Sequence, residues 1–192
     1  MKNQQTTLNV AALRARARQD VESGAVTAGY TADRPVVLQR LNDALATELI
    51  CVLRYRRHHF MARGIHSQTV ATEFLAHSNE EQGHADQLAE RIVQLGGEPD
   101  FSPASLPGRS HAEYLEGASL PEMIHENLVA ERIAIDSYRE FIQYLADQDP
   151  TTRRLLESIL AVEEQHADDL ADLLQVTQPM AWAETPLAQR GA

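Results

Sequence analysis

A single cysteine, Cys51, leaves this 192-residue chain without an internal disulfide and fits a reducing compartment. Its expected place is that of a small, buried apolar residue. Aromatic residues make up only 5% of the chain against 43% apolar residues, too few for an aromatic-rich β-sandwich core. Nine Gly and eight Pro gather in a few segments, whereas an all-β chain would need turn residues every ten or so positions. No run of about 18 apolar residues is present to span a bilayer. Arg14, Arg16 and Arg18 interrupt the stretch where a secretory leader would need a continuous apolar core. The expectation is a soluble, cytoplasmic protein with no membrane association.

Positive charge is scarce beyond the first third. Residues 1–70 hold ten Lys/Arg against five Asp/Glu, whereas residues 71–192 hold seven against 23, within a net charge of −11. Nucleic-acid binding over the whole surface is disfavoured by this balance, and attraction of metal cations is favoured.

What remains reads as helix. Residues 1–30 form an N-terminal extension, in which Leu8 to about Val21 is predicted as a short amphipathic helix. Asp33 as a cap and Pro35 in the first turn open a long helix to Arg63, stopped by Gly64. A second runs from near Ser67 to Gly96-Gly97. Residues 97–119, with Pro99, Pro103, Pro107, Gly108 and Gly117, form a long connection. Within it Ser110-His111-Ala112-Glu113 matches a capping box, predicting one or two helical turns after it. Ser119-Leu120-Pro121-Glu122 opens the third long helix, and Asp149-Pro150 separates it from a fourth reaching Val176. A tail from Thr177 to Ala192, with Pro179 and Pro186, is expected to be irregular. The fold class is therefore all-α: an antiparallel four-helix bundle over residues 31–176, with a long crossover between the second and third long helices.

Alternating three- and four-residue steps give each helix an inward stripe. The first carries Leu41, Leu45, Glu48, Val52, Tyr55 and His59; the second Phe74, His77, Glu81, His84, Leu88 and Leu95. The third carries Ile124, Leu128, Glu131, Ile135, Tyr138, Ile142 and Leu145; the fourth Leu156, Ile159, Glu163, His166, Leu170 and Leu173. Each stripe is broken by one Glu, and in the second and fourth a His follows three positions later. The spacing nearly repeats, 33 residues from Glu48 to Glu81 and 32 from Glu131 to Glu163.

Four buried carboxylates without partners would cost several kcal/mol each, against a typical total stability of about 5–15 kcal/mol. If these groups lie inside, they need metal. Four carboxylates and two neutral imidazoles balance two divalent ions, and an oxygen-rich set with one imidazole per ion suits iron or manganese rather than soft metals. Glu81 and Glu163 are placed to bridge, Glu48 and Glu131 to bind terminally, and His84 and His166 to add one nitrogen each. One Glu from each of two helices and Glu-x-x-His from each of the others is the signature of ferritin-like dimetal proteins.

Glu48 with Tyr55 seven residues on, Glu81-Gln82-Gly83-His84-Ala85-Asp86, Glu131, and Glu163-Glu164-Gln165-His166 together resemble bacterioferritin over about residues 35–176. The resemblance implies a ferritin-like bundle, a hollow shell of identical subunits, and oxidation of Fe(II) by O2 or H2O2 with storage of the ferric product. It places Tyr55 beside an iron pair for which Mn or Zn could substitute. Bacterioferritins carry a haem-ligating Met where this chain has Gln82, so no haem is expected. The N-terminal extension, the central helical turn and the Pro-containing tail resemble Dps-like miniferritins, implying twelve subunits rather than 24.

Two other functions stay open. One is a di-manganese catalase or peroxidase, although a rubrerythrin-like version lacks its paired Cys-x-x-Cys motifs. The other is DNA protection through the N-terminal arm, since Arg14, Arg16, Arg18 and Arg54, Arg56, Arg57 are the basic clusters. Those arginines also read as a solvated or subunit-interface face. His59, His77 and Glu80 are candidates to assist iron uptake or transfer.

Overall fold

The computed structural model describes residues 8–64 and 67–177, with the side chain of Thr177 excepted. The first seven residues and the irregular tail expected beyond Thr177 lie outside the described residues. Four long helices, α2 (Arg34–Met61), α3 (Ser67–Gln94), α5 (Leu120–Leu145) and α6 (Pro150–Thr177), form an antiparallel bundle. Two short ones, α1 (Val10–Arg16) and α4 (Leu106–Arg109), lie outside it. Chain neighbours pack as pairs, α2 on α3 and α5 on α6. None of the described helices is long and apolar enough to cross a membrane.

The boundaries follow from local chemistry. The Asp33 carboxylate accepts the Val36 amide at the start of α2, and Ser119 Oγ accepts the Glu122 amide at the start of α5. Helix α3 ends in a Schellman turn: Gly96 takes φ +74° while the Gly97 and Gly96 amides reach back to the carbonyls of Ile92 and Val93. Helix α1 is shorter than its pattern predicts. It buries no residue, and without packing so short a helix is marginal even when built of good helix formers.

The central connection also differs from expectation. Its helical turn precedes Ser110 instead of following it, because the Ser110 hydroxyl donates to Ala112 O (2.6 Å) and does not cap the Glu113 amide. The segment after Ser110 is then free to run extended along α2. Asn42 holds the start of the connection at Glu98 and Asp100; beyond Ser110, Thr47 Oγ1 accepts the His111 amide and His58 Nε2 meets the carbonyls of Leu115 and Glu116. From Asn42 to His58 this crossover covers roughly 24 Å of helix axis.

Arg54 corrects the reading of the second basic cluster as a solvated or interface face. Its side chain is buried: Nε donates to Asn127 Oδ1 (2.8 Å) and Nη1 to Glu113 O (2.7 Å). Arg56 and Arg57 remain partly exposed, and Arg57 pairs with Glu116 at 2.8 Å. His58, beside Asn127 Nδ2 at 2.9 Å, is the buried histidine at this end of α2. His59, assigned to the inward stripe, is only half-buried, with Nδ1 2.7 Å from Ala71 O. The α2 face in contact with the crossover is broader than a single stripe, and it selects Arg54 and His58.

Two apolar clusters fill the bundle. One, around Leu41, Leu45, Leu88, Phe141, Leu156 and Ile159, packs one end. The other, around Tyr55, Val70, Phe74, Ile124 and Leu170, packs the opposite end. Between them lies a polar layer.

Candidate metal centre

All six stripe-breaking residues project into that layer and are buried: Glu48, Glu81, Glu131 and Glu163 at 1% exposure, His166 at 2% and His84 at 6%. They make two overlapping groups of ligand atoms, each within 4.8 Å. Glu48, Glu81, His84 and Glu163 form one; Glu81, Glu131, Glu163 and His166 form the other. Glu81 and Glu163 belong to both. His84 Nδ1 lies 2.9 Å from Glu163, 3.3 Å from Glu81 and 3.4 Å from Glu48. His166 Nδ1 lies 3.4 Å from Glu81, 3.6 Å from Glu163 and 4.0 Å from Glu131.

His84 Nδ1 makes a hydrogen bond to Glu81 Oε2, but these approaches leave other atoms of the groups unsatisfied. Glu81 Oε1, Glu131 Oε2, both Glu163 oxygens and His166 Nδ1 are buried with no hydrogen-bond partner. Such atoms are costly in an apolar interior, and here they converge on the space shared by the two groups. A pair of divalent cations fits this donor set: the carboxylates match its charge, and each ion receives oxygen ligands with one imidazole.

The protonation pattern shows the same unmet demand for positive charge. Burial first, then repulsion among the carboxylates, pushes Glu81 well above its ordinary range; burial and Glu163 do the same to Glu131. For the histidines burial acts downwards, but the facing carboxylates win and raise His84 to about 12 and His166 to about 9. Glu163, opposed by burial, is held low by the adjacent His166 and His84 rings. The cluster retains protons where cations would serve.

Hydroxyl groups fix the Glu48 and Glu131 carboxylates. Tyr55 donates to Glu131 and Tyr138 donates to Glu48, so each tyrosine serves the Glu of the other helix. Glu80 Oε2 lies 2.6 Å from His166 Nε2, fixing that ring with Nδ1 inward. Gln82 faces away and donates to Asp86 (2.9 Å). His77 is buried and stacks on the His166 ring at 3.9 Å. Burial and the neighbouring His166 lower it to about 3.

Sequence reasoning missed the role of Tyr138. The signal was present, since Tyr138 follows Glu131 by seven residues as Tyr55 follows Glu48. It also missed the buried network of Arg54, Asn127 and His58, whose partners lie on different helices.

Comparisons with known proteins agree with this architecture. The family model described as Ferritin-like domain matches residues 38–180. The Nostoc sp. nutrient stress-induced DNA-binding protein is 32% identical over 158 residues, covering 76% of this chain and 86% of that protein. The dodecameric thioferritin of Bacteroides fragilis, a bacterioferritin-related protein, superposes with TM-score 0.73 at 30% identity, over 75% of this chain and 87% of that one. Desulfovibrio desulfuricans bacterioferritin, whose diiron site has been captured in different catalytic states, superposes with TM-score 0.66 at 26% identity, over 74% and 80% of the two chains.

Proposed function

Because the chain belongs to the ferritin-like domain family, we propose that it is a haem-free iron-storage and detoxification protein that oxidises Fe(II) with O2 or H2O2 inside each subunit. Glu48, Glu81, His84, Glu131, Glu163 and His166 hold the iron, and the ferric product collects in a hollow shell of identical subunits. The convergence of unpartnered buried oxygens and nitrogen in two groups sharing Glu81 and Glu163 carries this reading.

In it, Glu81 and Glu163, common to both groups, would be shared between two ions; Glu48 with His84 would hold one, and Glu131 with His166 the other. A bound iron pair supplies two electrons to the oxidant. The chain contributes charge balance, fixed positions and a water-poor interior. Tyr55 and Tyr138 keep the terminal carboxylates from swinging, and Glu80 keeps the His166 lone pair pointed inward. Loading Fe(II) displaces protons from His84 Nδ1 and from the Glu81 carboxyl. Twelve subunits are favoured, by likeness to the dodecameric B. fragilis protein, and the exposed Leu53 and Phe60 on α2 offer apolar surface for subunit contacts.

The test is the double variant Glu81→Ala, His84→Ala. It is expected to lose rapid Fe(II) oxidation, followed by ferric absorbance, while the particle stays assembled by size and mass; undiminished oxidation would overturn the site.

A second reading, DNA protection, is favoured by the exposed Arg14 and Arg16 on α1, with Arg18 just after it, and by the Nostoc relative's DNA-binding name. A gel shift of the full chain against one lacking residues 1–30, across a salt series, separates it from storage alone.

A further inference from the structure

One turn of α3 beyond the six-residue cluster lies a second set of potential ligands that the centre does not use. His77 is 1% exposed, and its Nδ1 lies 3.3 Å from the Tyr55 hydroxyl. Tyr55 has a single proton and gives it to Glu131. Toward His77 the tyrosine oxygen can only accept, so His77 Nδ1 carries the ring proton and Nε2 carries a lone pair. That lone pair has no hydrogen-bond partner. It faces Glu73 Oε1 at 3.3 Å, and Asp169 of α6 brings a second carboxylate, all three ligand atoms lying within 4.8 Å.

A lone pair held against two carboxylates is repulsive until a cation sits among them. Partial burial, together with the charges of Asp169 and Glu80, already pushes the Glu73 carboxyl upward. The Glu73 side chain is 37% exposed, so this cluster reaches solvent, whereas the six-residue centre does not.

The internal duplication isolates the feature. Glu81-x-x-His84 corresponds to Glu163-x-x-His166, so Glu73 and His77 correspond to Leu155 and Ile159, and Asp169 to Gln87. Leu155 and Ile159 pack into the apolar cluster. One approach to the centre is therefore closed by hydrocarbon, and its counterpart is lined with ligands. Bundle packing alone gives no reason for that difference.

We propose that Glu73, His77 and Asp169 form a third, mononuclear site for a divalent cation. One imidazole and two carboxylates neutralise a dication and leave coordination positions to water, a set suited to Fe(II), Mn(II), Co(II) or Zn(II). Within the proposed ferroxidase reading, on which this last step rests, the site holds the next Fe(II) beside the dinuclear centre.

Co(II) titration of the assembled full-length protein, counting ions per chain by equilibrium dialysis and visible absorption, tests the site. The wild type is expected to bind three ions, and the surface variant Glu73→Gln, Asp169→Asn two. A Glu81→Gln, Glu163→Gln variant should keep the single outer ion. Two ions in both the wild type and the surface variant would overturn the third site and leave the dinuclear reading intact. An undiminished count in the Glu81, Glu163 variant would instead sink the dinuclear reading. In stopped-flow oxidation, the surface variant is expected to match the wild type for the first two Fe(II) per chain and to slow about tenfold on later additions. Unchanged later additions would overturn the holding role.

Discussion

Tyr55 and Tyr138 illustrate how much of this centre depends on single hydroxyl groups. Each donates to the buried carboxylate of the other helix, Tyr55 to Glu131 and Tyr138 to Glu48, so the two halves of the bundle hold each other's candidate ligands. Replacing either tyrosine with Phe keeps the ring in the core and removes only the donor. Outer contacts of this kind are worth roughly 10- to 100-fold in metal affinity. Tyr55→Phe is expected to weaken the ion held by Glu131, and Tyr138→Phe the ion held by Glu48, each leaving the other ion little changed. Calorimetric titration with Co(II) would resolve the steps of these two ions from that of the outer ion, and equal weakening of both by either variant would refute the crosswise arrangement. The pairing was half-legible in the sequence: the repeated seven-residue spacing identifies both tyrosines, but only superposed helices reveal that each reaches across.

Asp149 shows the same dependence among elements. It caps α6 by accepting the Thr152 amide (2.9 Å), and it also takes the Thr152 and Tyr30 hydroxyls and the Arg91 guanidinium of α3. Burial alone would raise its pKa, but the Thr152 hydroxyl and amide, Tyr30 and Arg91 outweigh it and hold the carboxyl below its ordinary value. A carboxyl depressed by folding stabilises above its unfolded pKa, about 3.9, and loses that stability as pH falls through the lower folded value. Asp149→Asn leaves Arg91 buried without its counter-charge and should cost about 2–4 kcal/mol at pH 7. The gap from the wild type should narrow below about pH 4. Urea unfolding at several pH values checks this, and a gap independent of pH would exclude the charge as its cause. The helix start at Asp149-Pro150 was legible from the cap alone. The link to Arg91, 58 residues earlier, was not.

At the scale of the molecule, the proposed metal centre predicts that stability depends on cations. The mutual repulsion and unpartnered oxygens of the buried carboxylates weaken the chain by itself. An ion bound only by the folded state, at a hundred times its dissociation constant, adds about 2.7 kcal/mol. For a chain of this size that is roughly 5–10 °C in melting temperature. Scanning calorimetry with Co(II) or Zn(II), and again after chelation, should show a reversible rise and fall of that order; a melting point indifferent to metal would contradict the centre. Twelve-fold assembly, tested by particle mass, belongs to this scale as well.

The sequence by itself determined the four long helices, the Asp33 and Ser119 caps and the register of the six candidate ligands, because helical periodicity is local and a Glu in an apolar stripe is visible without coordinates. Its weak duplication already paired Glu48 with Glu131 and Glu81 with Glu163. Tertiary structure alone decided which polar residues outside the stripes are buried. Arg54 goes inside because Asn127 and the Glu113 carbonyl, both distant in sequence, satisfy its guanidinium. His77 gains its directed lone pair from a tyrosine on α2 whose own proton is committed to α5. Such roles depend on partners brought together by packing, and no spacing along one helix encodes them.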